Sequence, residues 1–160
     1  MQKNNTSWCT PNGSEINFNE ILLHIKSHTK SGGSIFIGTD SFLTGAHCVF
    51  ANAICLHGAA SQMGGMYYIK KSKFNGKHFK VLVNRMLSEI QSSIETALKI
   101  SDLYPDAKIE LHLDISGTNG IGATSQYADM LTGYAKSTGF PCKIKPHSWA
   151  SSSVADKHSK

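Results

Sequence analysis

One design, used twice, constrains the fold of this chain more than anything else: an apolar run that ends in an aspartate. Ile35-Phe36-Ile37-Gly38-Thr39-Asp40 is the first copy, and Lys108-Ile109-Glu110-Leu111-His112-Leu113-Asp114 is the second. A buried-strand pattern that stops at Asp places a carboxylate at the rim of a sheet. Asp also ends strands simply because it favours turns. If the two strands are neighbours, however, two carboxylates meet. Like charges held close repel, and a cation between them is the usual reason for a protein to bear that cost.

The length of 160 residues suits one domain with a substantial core. Hydrophobic residues make up 40 % of it, with 14 Gly and only 4 Pro, which is globular composition and not disorder. No apolar run approaches the ~20 residues that span a bilayer. The first residues, Met1 to Thr6, are polar and lack the apolar segment of a secretion signal. Cys9, Cys48, Cys55 and Cys142 contain no Cys-x-x-Cys pair, and the last three sit in strand-like segments as small apolar residues. The expectation is a reduced, cytoplasmic protein. A formal charge of +5 leans toward a polyanionic partner such as nucleic acid. Lys70, Lys71, Lys73, Lys77, Lys80 and Arg85 cluster in mid-chain, and Lys143, Lys145, Lys157 and Lys160 near the end. Either cluster alone reads better as solvated surface.

Along the chain, residues 1–13 read as a loose, flexible segment and residues 14–160 as one domain. Asn17 caps a helix whose apolar positions, Phe18, Ile21, Leu22 and Ile25, have helical spacing, and Gly32 and Gly33 end it near Lys30. His24 and His28 share a face of that helix, but no third zinc ligand is near in sequence. Strands follow at Ser34–Asp40, Cys48–Leu56 and Gly65–Lys71, joined as antiparallel hairpins. Residues 72–80 read as a basic loop. A long helix runs from about Val81 to Ile100 on the stripe Val83, Met86, Leu87, Ile90, Ile94, Ala97 and Leu98. Then come a strand at Lys108–Ile115, a Gly-rich loop, a helix at Ser125–Thr138, a strand at Cys142–Pro146 and a helical tail from Ala150. Three antiparallel strands followed by alternating helix and strand make an α/β fold with a mixed five-stranded sheet flanked by helices. That order matches the ribonuclease H-like fold, in which the first and fourth strands are neighbours, so Asp40 and Asp114 are expected side by side.

Four blocks carry a more specific likeness: Ile37-Gly38-Thr39-Asp40-Ser41, His112-Leu113-Asp114-Ile115, Lys143-Ile144-Lys145-Pro146-His147-Ser148, and the stretch from Ala150 to Lys157 with its serines and Asp156. Their order and spacing resemble the YkuK-type family, a domain of unknown function regarded as a ribonuclease H-related nuclease. The likeness covers about residue 18 to the end. Trp149 stands where Phe is expected and Ser151 where Ala is expected, and every acidic position is kept.

The resemblance implies a two-metal carboxylate site. Two divalent ions, Mg²⁺ or Mn²⁺, clamp the attacking water and the leaving oxygen of a phosphodiester, and they need hard oxygen ligands. Asp40 would be shared by both ions and Asp114 would bind one, with a Glu from the long helix and Asp156 completing the set. The helix offers Glu89 and Glu95 on opposite flanks of its apolar stripe. Glu89, beside Ser93, Thr96 and Ile100, is the one expected to face the sheet. Lys143, Lys145 and Lys157 suit phosphate contacts. His112 shares a strand face with Asp114 and reads best as a hydrogen-bonded structural residue; His147 and His158 are candidate proton shuttles.

Two functions follow. One is a metal-dependent nuclease acting on RNA or an RNA–DNA hybrid in preference to duplex DNA. The other is a non-catalytic RNA or nucleotide binder on the same fold, with the loop Gly117–Gly122 as a phosphate cradle. That loop lacks a Walker lysine and also reads as an ordinary turn. Convergence of the carboxylates favours the enzyme; a set dispersed or plugged by lysine favours the binder.

Overall fold

The computed structural model describes residues 7–62, 64–117 and 125–160. Its framework is a seven-stranded mixed sheet in the order β2-β1-β5-β4-β3-β6-β7. The central strand β3 (Ser34–Thr44) pairs antiparallel with β4 (His47–His57), which pairs antiparallel with β5 (Met66–Asn75). On its other side β3 runs parallel to β6 (Lys108–His112), which runs parallel to the short β7 (Cys142–Lys143).

The sheet has seven strands and not five because the N-terminal segment joins it. Residues 7–13 are not loose: β1 (Trp8–Cys9) pairs with β5 and with β2 (Glu15–Ile16). The hairpin between them turns through Gly13, at φ +89, whose N–H donates to the Thr10 carbonyl. What holds this polar stretch is Trp8, 6 % exposed and stacked on Phe18 at 6.0 Å. Burial of such a side chain stabilises by about 2–3 kcal/mol.

Residues 72–75, expected to begin a basic loop, instead continue β5, with Ser72 opposite Phe50 and Phe74 opposite Cys48. Alternation explains it: Ser72 and Phe74 face one side of the strand and Lys71 and Lys73 the other. A short 3₁₀ turn, Gly76–Phe79, leads to helix α2 (Leu82–Leu103).

Helices α1 (Phe18–Lys30), α2 and α3 (Ala128–Lys136) cover one face of the sheet. Ile35, Ile37, Ile54 and Leu111 meet Ile21, Ile25, Ile90, Ile94 and Leu131 there in the main core. The opposite face is lined by small residues, Ala51, Ala53 and Cys55, and packs on Ala150 and Ala155. Approach is so close that a Cβ on Gly38 would lie 2.5 Å from the Ser151 backbone nitrogen. The tail is not a regular helix throughout. A wide π-helical turn, Ala150–Ala155, precedes the single turn α4 (Asp156–Ser159). The hydroxyls of Ser151 and Ser152 both donate to the Ser148 carbonyl, at 3.0 and 2.9 Å, and so compete with backbone donors for it. Among the described residues, no helix is long and apolar enough to cross a membrane.

Candidate acidic site at the end of the central strand

Pairing between β3 and β6 begins at Ser34–Lys108 and stops at Gly38–His112. Carried on by two residues in each strand, the same register sets Asp40 beside Asp114, and the two carboxyls share a hydrogen bond. Both side chains lie on the face covered by the terminal turn. His112, two residues before Asp114, marks that face, since its Nδ1 accepts the Ala150 N–H at 3.0 Å. Ser159 donates to Asp40 Oδ2 at 2.8 Å, and Asp156, which opens α4, adds its negative charge to the same neighbourhood.

Glu89 arrives from the opposite face, on α2, where it is buried and accepts a hydrogen bond from the Ser41 hydroxyl. It can meet the aspartates because β6 ends at His112 whereas β3 continues to Thr44. Beyond that end the sheet no longer separates its two faces. A cleft of about 10 Å³ opens there among Thr39, Glu89, Ser93, His112 and Asp114, roughly the space of one water.

The electrostatics record the crowding. The Asp40 carboxyl is raised from 3.8 to about 7, first by burial, then by the bond to Asp114 and the charges of Asp114 and Asp156, against the Ser159 hydroxyl. Glu89 is pushed well above its ordinary value, first by burial and further by Asp40 and Asp114, against the Ser41 hydroxyl and Arg85. Two ammonium groups sit among these acids. Lys145 Nζ is 2.8 Å from Asp114 Oδ1, and Lys160 Nζ is 2.9 Å from Asp156 Oδ1. Lys145 is thus the partner of Asp114 Oδ1, a buried oxygen with no other donor beside it among the described residues. Among the described residues, no three His, Cys, Asp or Glu side chains stand together as an ion cage. The four acids are electrostatic neighbours around Asp40, with two lysines in the positions of cations.

The other sequence candidates fall as follows. Glu95 is exposed and accepts a bond from Gln91 at 3.2 Å. Lys143 and Lys157 are exposed; Lys145, expected on phosphate, is instead on Asp114. His112 is buried and bridges: Nδ1 accepts from Ala150, so Nε2 carries the proton and donates to Glu110 at 2.9 Å. Burial lowers its pKa, with Glu110 opposing. His147 is exposed, and His158 Nε2 meets the Tyr67 hydroxyl at 3.1 Å. His24 pairs with the Tyr68 hydroxyl and His28 with the Ser34 carbonyl, so each ring has its own partner. The Gly117–Gly122 cradle lies, beyond Gly117, outside the described residues.

Sequence reasoning missed two hydroxyls of the site. Ser41 could have been found, because it directly follows Asp40 in the motif. Ser159 carries no signal, since nothing in a polar tail announces a contact with a strand 119 residues away.

A family model described as Ribonuclease H-like matches residues 17–160. No curated protein and no solved structure matches the chain.

Proposed function

The chain belongs to the ribonuclease H-like family, and from that premise we propose that it is a divalent-metal-dependent phosphodiesterase acting on RNA or an RNA–DNA hybrid. One observation carries the reading: Asp40 and Glu89 are both held well above their ordinary pKa, first by burial and then by neighbouring acids, Asp114 and Asp156 for Asp40 and Asp40 and Asp114 for Glu89. Carboxylates pushed together against their own repulsion form a site short of positive charge. The donor chemistry, four carboxylates, suits hard divalent ions, although among the described residues no three of them stand together as a cage and Lys145 occupies Asp114 Oδ1. Asp40, Glu89, Asp114 and Asp156 would hold Mg²⁺ or Mn²⁺, which when bound supplies a deprotonated water and neutralises charge on the phosphodiester.

The chain's own residues do the rest. Ser41 and Ser159 fix the orientation of Glu89 and Asp40 by donating to them. Lys145 and Lys160, on long and partly exposed side chains, turn from the carboxylates to substrate phosphate. Lys143 and Lys157 stand exposed on the neighbouring β7 and α4 as further point charges for the strand.

The test is a nuclease panel of RNA, RNA–DNA hybrid and duplex DNA with Mg²⁺ and with Mn²⁺. Cleavage by the natural chain that is lost in Asp40→Asn supports the reading. Absence of cleavage on every substrate refutes it. The second reading, a non-catalytic RNA or nucleotide binder, is favoured by Lys145 and Lys160 lying on Asp114 and Asp156. It is the reading left standing if the protein binds RNA in the panel and cleaves none of it.

A further inference from the structure

Helix α2 packs over β3, with Ser93 on Thr39 at 2.8 Å and Glu89 on Ser41. Its outer flank reaches β4 through Ser92, which accepts from Asn52 at 2.9 Å. Beyond that contact a channel runs between α2 and the β4–β5–β1 part of the sheet. From Ser88 to Lys99 it is about 17 Å long at the α-helical rise. Two cavities make it up, of about 310 and 290 Å³, and Lys70 is a wall of both.

The larger cavity is lined by an aromatic cluster. Phe50 meets Phe74 at 5.6 Å and Phe79 at 4.9 Å, both edge to face, and Phe74 is 39 % exposed. The smaller is floored by Trp8, Ile16 and Phe18. Both volumes lie at the low end for ligand pockets, a size for a flat ring and not for a large molecule.

Lys70 between them is half-buried, its Nζ 5.3 Å from the centre of the Trp8 ring. Among the described residues it has no carboxylate at ion-pair distance. Lys99 lines the smaller cavity with it, and Glu95, bonded by Gln91, lines the larger. Two cations held against each other call for a shared anion, as two carboxylates call for a cation. We propose that this channel binds an unpaired nucleic-acid strand, with a phosphate between Lys70 and Lys99 and a base in each flanking cavity.

An exposed ring at Phe74 followed by an apolar slot edged by two lysines matches the spacing of base and phosphate, and aromatic platforms with cationic links are how single strands are held without sequence preference. A paired base is stacked and cannot enter either cavity. An acidic peptide would satisfy the lysines but not both aromatic cavities. Position agrees too. Phe50, on β4, lies opposite Ser41, whose hydroxyl holds Glu89, and Phe74 lies on β5, so the aromatic cavity spans one to two strand spacings from β3, about 5–10 Å. The proposal rests on none of the carboxylates and stands whether or not the site beside it cleaves.

The test is fluorescence anisotropy of a labelled oligouridylate and of a blunt RNA duplex, at low salt and in EDTA so that neither cleavage nor an ion contributes. The single strand should bind more tightly than the duplex. Phe74→Ala should weaken it about tenfold, the range for loss of one base stack. Lys99→Glu should weaken it and flatten the salt dependence by about 0.7 in log K against log salt. Both residues are exposed, so the fold should survive, which circular dichroism checks. Unaltered affinity in both channel variants, preference for the duplex, or no binding at low salt would each overturn the proposal.

Discussion

Asp40→Asn should make the protein more stable at alkaline pH, by a smaller margin at pH 5, and leave it nearly unchanged only below about pH 4. In the folded chain the Asp40 carboxyl titrates near 7, against 3.8 for an ordinary aspartate. Between those values the native state holds a proton that the unfolded state has released. Stability therefore falls as pH rises from about 4 to about 7, and the full cost persists above. At 1.36 kcal/mol per unit the rise amounts to about 4 kcal/mol. Asparagine keeps an oxygen to accept from Ser159, and its amide replaces the shared proton facing Asp114. About 2–4 kcal/mol of that cost should then be recovered at pH 8, or roughly 5–15 °C in midpoint for a chain of this length. The assay is thermal and urea unfolding of both proteins in EDTA from pH 5 to 9. His112, whose pKa burial depresses, has the opposite slope near pH 6 but is common to both proteins, whereas Glu89, raised in part by Asp40, relaxes with it, so their difference reads Asp40 together with its effect on Glu89. Equal stabilities at pH 8, or an Asp40→Asn protein less stable there than at pH 5 relative to the parent, would refute the placement of this carboxyl in an electrostatically crowded site.

Three further outcomes follow from the same geometry. Mg²⁺ or Mn²⁺ should raise the melting midpoint of the natural chain over EDTA, by mass action on the native state, and should do so far less in Asp40→Asn; equal responses would remove Asp40 from the ion site. Lys145→Met takes the resident ammonium from Asp114, so the metal-dependent rise in midpoint should appear at a lower ion concentration, as a thermal-shift titration reads. Gly38→Ala forces a methyl group against the Ser151 and Ala150 backbone, at 2.5 and 2.7 Å. It should cost about 2 kcal/mol or more in urea unfolding and blunt the metal response too, since the displaced turn carries Asp156; an unchanged metal response would detach α4 from the site.

Much of this was legible in the residues because the long elements announce themselves. Alternating apolar positions placed β3 and β4 to within a few residues. The 3.6-residue stripe placed α2, and the same angular argument turned Glu89 toward the sheet and Glu95 to solvent. The repeated strand-to-Asp design, combined with strand order, placed Asp40 next to Asp114. What could not be read depends on pairing at a distance. Strands of two residues, such as Trp8–Cys9, have no period of their own and exist because β5 offers an edge. The end of β5 was taken for loop because lysines dominate it, though its inward Ser72 and Phe74 follow the strand rhythm. Lys145 looked like a phosphate ligand on charge alone; only the fold brings it to Asp114.

The two lysines on the carboxylates have a consequence for which ions the site can notice. Each ammonium is tethered, so its local concentration never falls, and anything that enters must outcompete it. A monovalent cation would exchange one positive charge for another and still surrender its hydration, gaining nothing from the Coulomb field. An ion of charge two gains a full extra unit of attraction to every carboxylate around Asp40. If the cluster takes up a metal as proposed, Lys145 and Lys160 would act as a filter for valence, leaving it indifferent to ordinary salt and responsive to divalent ions.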